Sequence, residues 1–351
     1  MNMRRTLWIF AALLFCSATA LPGCSTLIDE DLSDCDNEHR IDYQVCLITN
    51  MNREMAEVLN KDKDKPVETA LRTFLESTFT DIAHDVTFSF YGDGGALHSS
   101  SQETMDKSAF SCSWRLPSGS YQHLCLANLA GNEAITLEGG TDAATARIAV
   151  LQASGEGAAL PALTTLLYAG RGSYESRYVE QDTPGTLELY AVNAATAVVL
   201  ETKEAPGIGP ISVRMCDMAS GYRVADDAFE FGAAPDVAAT KLNVSEGTQQ
   251  CFAALHLPSK DTRVRSISEP EGYFDAPTST DPVWRCKVYV PLADGTVTES
   301  VLEVKVPVNA GQLKILKANV KPNGSLGAED PTVGVSVTLD WNEGWHGEVP
   351  L

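Results

Sequence analysis

The pattern of apolar and polar residues along the chain predicts mainly β-strands. Apolar residues alternate with polar ones over residues 41–47 and again over 86–90, which is the period of a strand with one buried face. Between these segments the period changes to that of a helix with one apolar stripe. The stripe follows Pro66 and contains Val67, Ala70, Leu71, Phe74, Leu75, Thr78 and Ile82. The first half is therefore predicted to combine strands with one short helix.

The second half of the chain carries strand signals at short intervals. They cover residues 186–201, 211–215, 251–257, 284–292, 301–308, 313–320 and 333–341. Turn-forming residues separate several of them, as in Ala293-Asp294-Gly295. Strands at this spacing favour β-sandwiches over a parallel α/β sheet. The predicted fold class is all-β, with one short helix in the first domain and two β-sandwich domains in tandem.

Changes in composition predict the domain boundaries. Residues 24–38 are polar and acidic, as expected of a tether, and strand patterning starts directly after them. The chain then becomes rich in Gly, Ala and Ser, and afterwards in charge, over residues 155–184. The sequence therefore predicts an amino-terminal β-sandwich over residues 39–165, a linker over 166–184 and a carboxy-terminal β-sandwich over 185–351.

A hairpin is predicted around the turn Pro117-Ser118-Gly119-Ser120, between strands at 110–116 and 121–129. Cys112 and Cys125 are equally distant from the centre of this turn, so they are predicted to face each other. Opposed cysteines on neighbouring strands lie near the separation that a disulfide requires. A Cys112–Cys125 disulfide is one prediction, and two small buried apolar residues are the alternative.

The start of the chain has the layout of a lipoprotein signal peptide. Two arginines precede an almost wholly apolar run over residues 7–21, and the run ends at Leu21-Pro22-Gly23-Cys24. A small residue before cysteine, with leucine three positions before it, is the pattern that lipoprotein signal peptidase recognises. We therefore expect removal of residues 1–23 and lipid on Cys24. The alternatives are a plain cleaved signal or an uncleaved membrane helix, for which the run is shorter than the roughly 20 residues that span a bilayer.

The charge of the chain excludes one class of partner. Removal of the signal peptide takes away two arginines, which leaves 24 basic and 47 acidic residues and a formal charge of −23. Such a surface repels nucleic acid, because phosphate binding requires clustered lysines and arginines. The densest basic stretch, at residues 61–65, alternates Lys with Asp and is predicted to be a solvated loop. No nucleic-acid partner is expected.

The sequence contains no recognisable catalytic or metal-binding pattern. It has no HExxH, CxxC or G-x-S-x-G motif. His123 and His256 fall inside predicted strands and are expected to be structural, and the glycine pairs at 170–172 and 207–209 are predicted to lie in loops. We predict no enzymatic activity, no metal and no cofactor.

Aromatic residues near the carboxy end leave one binding role open. Trp341 ends a predicted strand and is expected to fill the core, whereas Trp345 is left unassigned. The alternative is that both tryptophans, with Tyr273 and Phe274, form a platform on which a sugar ring stacks.

Several motifs resemble the FimB-type anchoring subunits of type V fimbriae. The acidic leader Ile28-Asp29-Glu30-Asp31-Leu32-Ser33-Asp34-Cys35 is similar to the Asp-Leu-Ser-Asp-Cys stretch that precedes the first strand in that family. Further similarities follow in the same order at Phe79-Thr80-Asp81 through Phe90-Tyr91-Gly92-Asp93-Gly94, at Leu116-Pro117-Ser118-Gly119-Ser120-Tyr121 with Ala127-Asn128, at Val308-Asn309-Ala310-Gly311-Gln312, and at residues 335–341. The resemblance spans nearly the whole mature chain and rests on the order of these motifs together with the lipid signal.

The resemblance implies two transthyretin-like Greek-key sandwiches and a place at the outer membrane, at the base of a fimbrium. Subunits of such fibres donate a β-strand to their neighbour, so the implied partners are fimbrial structural subunits. A stalk or tip subunit of the same family is one alternative. Its release requires a cut at a basic residue beyond the first strand, for which Arg40 and Arg53 are candidates by position. A surface glycan-binding lipoprotein is the other alternative.

Overall fold

The computed structural model describes residues 38–48, 58–59, 61–78, 84–104, 109–153, 158–176, 185–233, 236–262, 279–328, 335–339 and 348–349. Within these ranges the chain is all-β with a single α-helix, which confirms the predicted fold class. Helix α1 spans Lys65–Thr78 and follows a 3₁₀ turn at Asp62–Asp64. Val67, Leu71 and Leu75 are buried four residues apart, so they form the apolar stripe that the sequence predicts.

The described strands number twenty-three and belong to four sheets. In chain order they are β1 Glu38–Ile48, β2 Val86–Tyr91, β3 Leu97–Glu103, β4 Ala109–Pro117, β5 Gly119–Ala127, β6 Ile135–Glu138, β7 Arg147–Val150, β8 Leu160–Pro161, β9 Tyr168–Ser176, β10 Gly185–Ala191, β11 Ala194–Glu201, β12 Ser212–Cys216, β13 Gly221–Arg223, β14 Ala228–Glu230, β15 Val237–Ala238, β16 Thr240–Lys241, β17 Gln249–His256, β18 Trp284–Pro291, β19 Val297–Val304, β20 Leu313–Val320, β21 Leu326–Ala328, β22 Val335–Leu339 and β23 Glu348–Val349.

The four sheets of the described residues occupy different places in the fold. The amino-terminal sheet has the order β3-β2-β5-β9-β10-β1-β4, and the bridging sheet has the order β14-β13-β7-β6. The central sheet has the order β16-β17-β11-β20-β21, and the carboxy-terminal sheet has the order β23-β22-β19-β18-β12-β15-β8.

The central sheet is buried on both faces, which divides the interior into two cores. Ala195, Ala197 and Val199 of β11 join the first core, with α1 and residues of the amino-terminal and bridging sheets. Val198 and Leu200 of β11 point the other way, into the second core against the carboxy-terminal sheet. A strand covered on both sides reads as a continuous apolar run, which explains the sequence Ala-Ala-Thr-Ala-Val-Val-Leu of β11.

Strands from both halves of the chain share sheets, so the halves interlock. In the bridging sheet β13 pairs with β7, and in the carboxy-terminal sheet β15 pairs with β8. The segment predicted to be a linker, 166–184, contains β9, which pairs with β5 and β10 inside the amino-terminal sheet. Strand β10, placed by the sequence in the second domain, belongs to the same sheet. The linker prediction is therefore wrong over β9.

The predicted hairpin is also wrong, although both of its strands exist. Strand β4 pairs with β1, whereas β5 pairs with β2 and β9. The indole of Trp114 lies with its ring centroid 4.1 Å from that of Phe88, so β4 packs across β2 instead of extending the sheet beside β5. Cys112 is in register with Tyr43 and Cys125 with Phe88 and Gly170, so the two cysteines are not opposed in a ladder.

The glycines at 170 and 172 lie in strand β9, so the prediction of a loop is wrong for them. Neighbouring residues occupy the space that a Cβ would need at both positions. A Cβ on Gly172 would lie 1.9 Å from Nε2 of His123, and one on Gly170 would lie 2.5 Å from Cδ2 of Leu189. The composition that suggested a linker therefore reflects close packing in the middle of a sheet. The glycines at 207 and 209 lie between β11 and β12, in a loop as predicted.

Replacement of Gly172 by alanine is expected to lower the free energy of unfolding by about 2 kcal/mol, because the buried His123 ring must move. The matched control is Gly92→Ala, where a Cβ meets nothing within 4 Å. Urea denaturation of the two variants measures the difference. Equal midpoints would show that β9 tolerates a side chain at this position.

The two strand histidines are structural, as the sequence predicts. His256 is 1% exposed, with Nε2 2.8 Å from Oγ1 of Thr196 and Nδ1 2.7 Å from the carbonyl oxygen of Leu257. His123 is 3% exposed and lies under β9. Burial lowers the pKa of each histidine to about 4, so both rings are neutral at physiological pH.

Acidification is expected to weaken the fold through these two histidines. Their pKa values in the folded protein, about 4, lie below the unfolded value of 6.5, so the unfolded chain binds more protons as the pH falls between these limits. Each histidine should cost about 3 kcal/mol of stability by pH 4. Denaturation midpoints from pH 7 to 4 measure the slope, which His256→Gln should reduce. The exposed control His98→Gln should leave the dependence of the midpoint on pH unchanged. If His256→Gln also left it unchanged, the lowered pKa of His256 would be contradicted.

Candidate functional site

The first strand after the predicted tether is held on both sides within the amino-terminal sheet. Residues 43–48 of β1 pair in parallel with β10, from Tyr43 opposite Gly185 to Ile48 opposite Tyr190. Residues 38–46 pair antiparallel with β4, from Glu38 opposite Pro117 to Cys46 opposite Ala109. Any force applied through residues before Glu38 therefore enters the fold at a strand with two ladders.

Buried side chains of β10 and β4 lie beside this strand. Leu187 and Leu189 of β10 are 5% and 0% exposed, and they are in register with Val45 and Leu47 of β1. On the other side, Leu116 of β4 is 2% exposed and is in register with His39. Strand β1 thus occupies a slot between β10 and β4, which supply main-chain hydrogen bonds on both sides and carry the buried leucines.

Edge strands of the described sheets differ sharply in length. The bridging, central and carboxy-terminal sheets end on strands of two to four residues. The amino-terminal sheet ends on β3, with seven residues, and β4, with nine. Strand β3 is exposed along nearly its whole length, and its sequence Leu-His-Ser-Ser-Ser-Gln-Glu contains no lysine or proline. Long edges without such residues can pair with another strand.

The predicted site residues fall in different parts of the chain. Cys24 lies outside the described residues, 14 positions before Glu38, so an extended tether would reach about 50 Å. The backbone of Cys112 lies in β4, but its side chain falls outside the described part, so the disulfide with Cys125 stays a prediction. The aromatic residues Tyr273, Phe274, Trp341 and Trp345 also lie outside the described residues.

The two candidate cleavage residues differ in their relation to β1. Arg40 lies inside the strand, in register with Arg115 of β4. Arg53 follows the end of β1 at Ile48 and precedes the next described residue, Val58, so it lies outside the described ranges. A cut after Arg53 would separate β1 from the rest of the chain, whereas a cut after Arg40 would leave most of the strand attached.

A buried ion pair lies beside α1, within residues 61–65, which the sequence predicts to be a solvated loop. Lys61, Asp62 and Lys63 are exposed, but Asp64 is fully buried and its Oδ2 lies 2.7 Å from Nζ of Lys317 in β20. Burial raises the pKa of the Asp64 carboxyl, but hydrogen bonds from Lys317 and Gln249 lower it more, so the pKa lies below its ordinary value. The prediction is wrong for Asp64 because no local pattern announces a partner 253 residues away.

An apolar pocket lies where the bridging sheet meets β8 and β15. Its lining includes Ile135, Val150, Leu160 and Val237, and the one ionisable side chain is His256, whose ring nitrogens are both engaged. In the described part of the chain, no cluster of His, Cys, Asp or Glu could hold a metal ion. No helix among the described residues is long and apolar enough to cross a membrane.

No protein-family model matches the chain, and no curated protein matches it. Solved structures of similar fold include a candidate adhesin from Bacteroides ovatus, with 12% identity, coverage of 81% of this chain and 87% of that chain, and a TM-score of 0.49. A fimbrial assembly protein from Parabacteroides distasonis has 13% identity, coverage of 89% and 100%, and a TM-score of 0.41. The fimbrial anchor protein Mfa2 from Porphyromonas gingivalis has 10% identity, coverage of 88% and 99%, and a TM-score of 0.40. At identities of 10% to 13% and TM-scores below 0.5, these similarities assign no function to this chain.

Proposed function

We propose that this chain is an outer-membrane lipoprotein that anchors a fimbrium and accepts a β-strand from the first structural subunit. The observation that carries the proposal is the position of β1. This strand begins directly after the acidic tether and is paired on both sides with β10 and β4. Lipid on Cys24 would therefore be connected to the sheet through a strand that two ladders hold in place.

Strand β3 is the proposed acceptor for the incoming strand. It is a long and exposed edge, and beyond its ladder with β2 no backbone hydrogen bond among the described residues involves residues 98–103. An extended segment can add to such an edge by main-chain hydrogen bonds, which give affinity with little demand on sequence. The lack of lysine and proline keeps this edge open to pairing.

Proline substitutions in β3 are expected to test this acceptor. Neighbouring residues of an edge strand direct their N–H groups alternately inward and outward, so one of Ser99→Pro and Ser100→Pro removes an outward donor and leaves the ladder with β2 intact. That variant should remain folded and lose at least tenfold in recovery of fimbrial subunits by pull-down. The exposed control Ser118→Ala, outside β3, should recover them normally. Normal recovery with both folded proline variants would exclude β3 as the acceptor.

A stalk or tip subunit is the second candidate, and the position of Arg53 favours it. Cleavage there would free β1 as a separate piece and leave the slot between β10 and β4 available to a strand from another subunit. The anchor and the subunit differ in their mature amino terminus. The anchor begins at lipidated Cys24, whereas the subunit begins after a basic residue.

A further inference from the structure

The 3₁₀ turn before α1 and the middle of the central sheet are joined by two buried side chains. Nζ of Lys317 lies 2.7 Å from Oδ2 of Asp64, and the side chains are 12% and 0% exposed. Lys317 belongs to β20, which pairs with β11 and β21. The contact therefore links the turn that precedes α1 to a strand 253 residues further along the chain.

Two further groups fix the orientation of this pair. Nε2 of Gln249, in β17, donates a hydrogen bond to Oδ1 of Asp64 at 3.0 Å. Nζ of Lys317 also donates to the carbonyl oxygen of Val58 at 3.3 Å. The carboxylate of Asp64 therefore accepts a hydrogen bond from the Gln249 amide on Oδ1, and its Oδ2 contacts the ammonium group of Lys317.

We propose that Lys317 and Asp64 condense to an intramolecular amide bond. The reactive form is the minor neutral pair, which forms when a proton passes from Nζ to Oδ2 against the lowered pKa of Asp64. The lone pair of Nζ then attacks Cγ, the Nζ–Cγ bond forms, and the Cγ–Oδ2 bond breaks. Oδ2 leaves as water with two of the three ammonium hydrogens, and one hydrogen stays on the amide nitrogen. The reaction needs no oxidant and no cofactor.

Three features of the site favour condensation. Groups held in contact react as if at an effective concentration of about 10⁵ M or more, which offsets the preference for free acid and amine in water. Condensation also removes two buried charges, whose desolvation is costly. The product is already supplied with partners, because its carbonyl oxygen keeps the hydrogen bond from Gln249 and its N–H faces the carbonyl oxygen of Val58.

Peptide mapping of the purified, folded lipoprotein tests the proposal. We expect a branched peptide that contains both Asp64 and Lys317, with a mass one water below the sum of its two linear parts, in most chains. The branched peptide should persist in the controls Asp62→Ala and Lys321→Arg, which alter exposed neighbours of the same types. It should vanish in Lys317→Arg.

The wild-type protein alone decides the outcome, so the result does not depend on whether a variant folds. Recovery of both linear peptides at full mass from wild-type protein with a cooperative thermal transition would overturn the proposal. The anchoring role would be unaffected by that result, because attachment to the membrane is measured separately.

Discussion

Replacement of Cys24 by serine is expected to release the protein and its fimbriae from the cell. Without the thiol no lipid can be attached, so the proposed covalent tie to the membrane is lost. The first described strand begins 14 residues later, at Glu38, so the described part of the fold should form normally. Immunoblots of cell and medium fractions measure the distribution, which we expect to change from more than about nine-tenths cell-bound to mostly shed.

The matched control is Cys216→Ser, which changes a buried cysteine far from the amino terminus. Cells with this variant should keep their fimbriae, provided that the protein is produced. Fimbriae that stay on cells with Cys24→Ser would show that the load does not pass through the lipid. Loss of the protein altogether, in place of release, would indicate a defect in export and is distinguished by its absence from both fractions.

Replacement of Asp64 by alanine is expected to lower the free energy of unfolding by about 3 to 5 kcal/mol. The substitution leaves the ammonium group of Lys317, 12% exposed, without the carboxylate that lies 2.7 Å away. It also removes the acceptor of the hydrogen bond from Gln249. A large loss is expected whether the pair is ionic or condensed, because either form ties α1 to the central sheet.

Two companion variants separate the buried pair from general effects of charge. Asp62→Ala removes an exposed carboxylate of the same turn, which is paired with Lys65 at 2.7 Å, and should change stability by no more than about 0.5 kcal/mol. For an ionic pair, the double variant Asp64→Ala, Lys317→Met removes both charges and should regain much of the loss. For a condensed pair, the covalent tie is lost in both variants and the loss should remain. If Asp64→Ala and Asp62→Ala were equally stable in urea denaturation, the buried pair would not be important for stability.

Several of the longer strands of the second half could be predicted well because their signal is local, whereas the strand predicted at 301–308 lies four residues earlier, at Val297–Val304. The expected strand at 313–320 coincides with β20, and those at 211–215 and 284–292 fall within one residue of β12 and β18 at each end. In these segments residues buried in a core alternate with less buried ones, so the period of two is visible in the sequence. Element type and fold class follow from such patterns.

Pairing between strands could not be predicted, because it depends on which apolar faces meet. The turn between β4 and β5 looks like that of a hairpin, yet β4 pairs with β1, and the ring of Trp114 packs against those of Phe88 and Phe90 in β2. The glycines of β9 look like those of a linker, since nothing local reveals that His123 occupies the space beside them. Contacts distant in sequence decide both cases.

In the candidate site, too, the local elements could be predicted and their partners could not. The lipid signal and the strand after the tether are local patterns, and β1 lies where alternation predicts a strand, although it begins three residues earlier than residue 41. Its neighbours β10 and β4 could not be inferred, because a parallel partner more than 140 residues away leaves no mark in the sequence of β1. The Asp64–Lys317 pair could not be predicted for the same reason.

The mature amino terminus of the protein that co-purifies with fimbriae tests the central claim most directly. Fimbriae sheared from cells would be digested, and the amino-terminal peptide of this chain identified by mass spectrometry. The account predicts a lipid-modified peptide that begins at Cys24 and continues into the acidic tether. An unmodified terminus after Arg40 or Arg53 would contradict the anchoring role and identify the chain as a polymerised subunit.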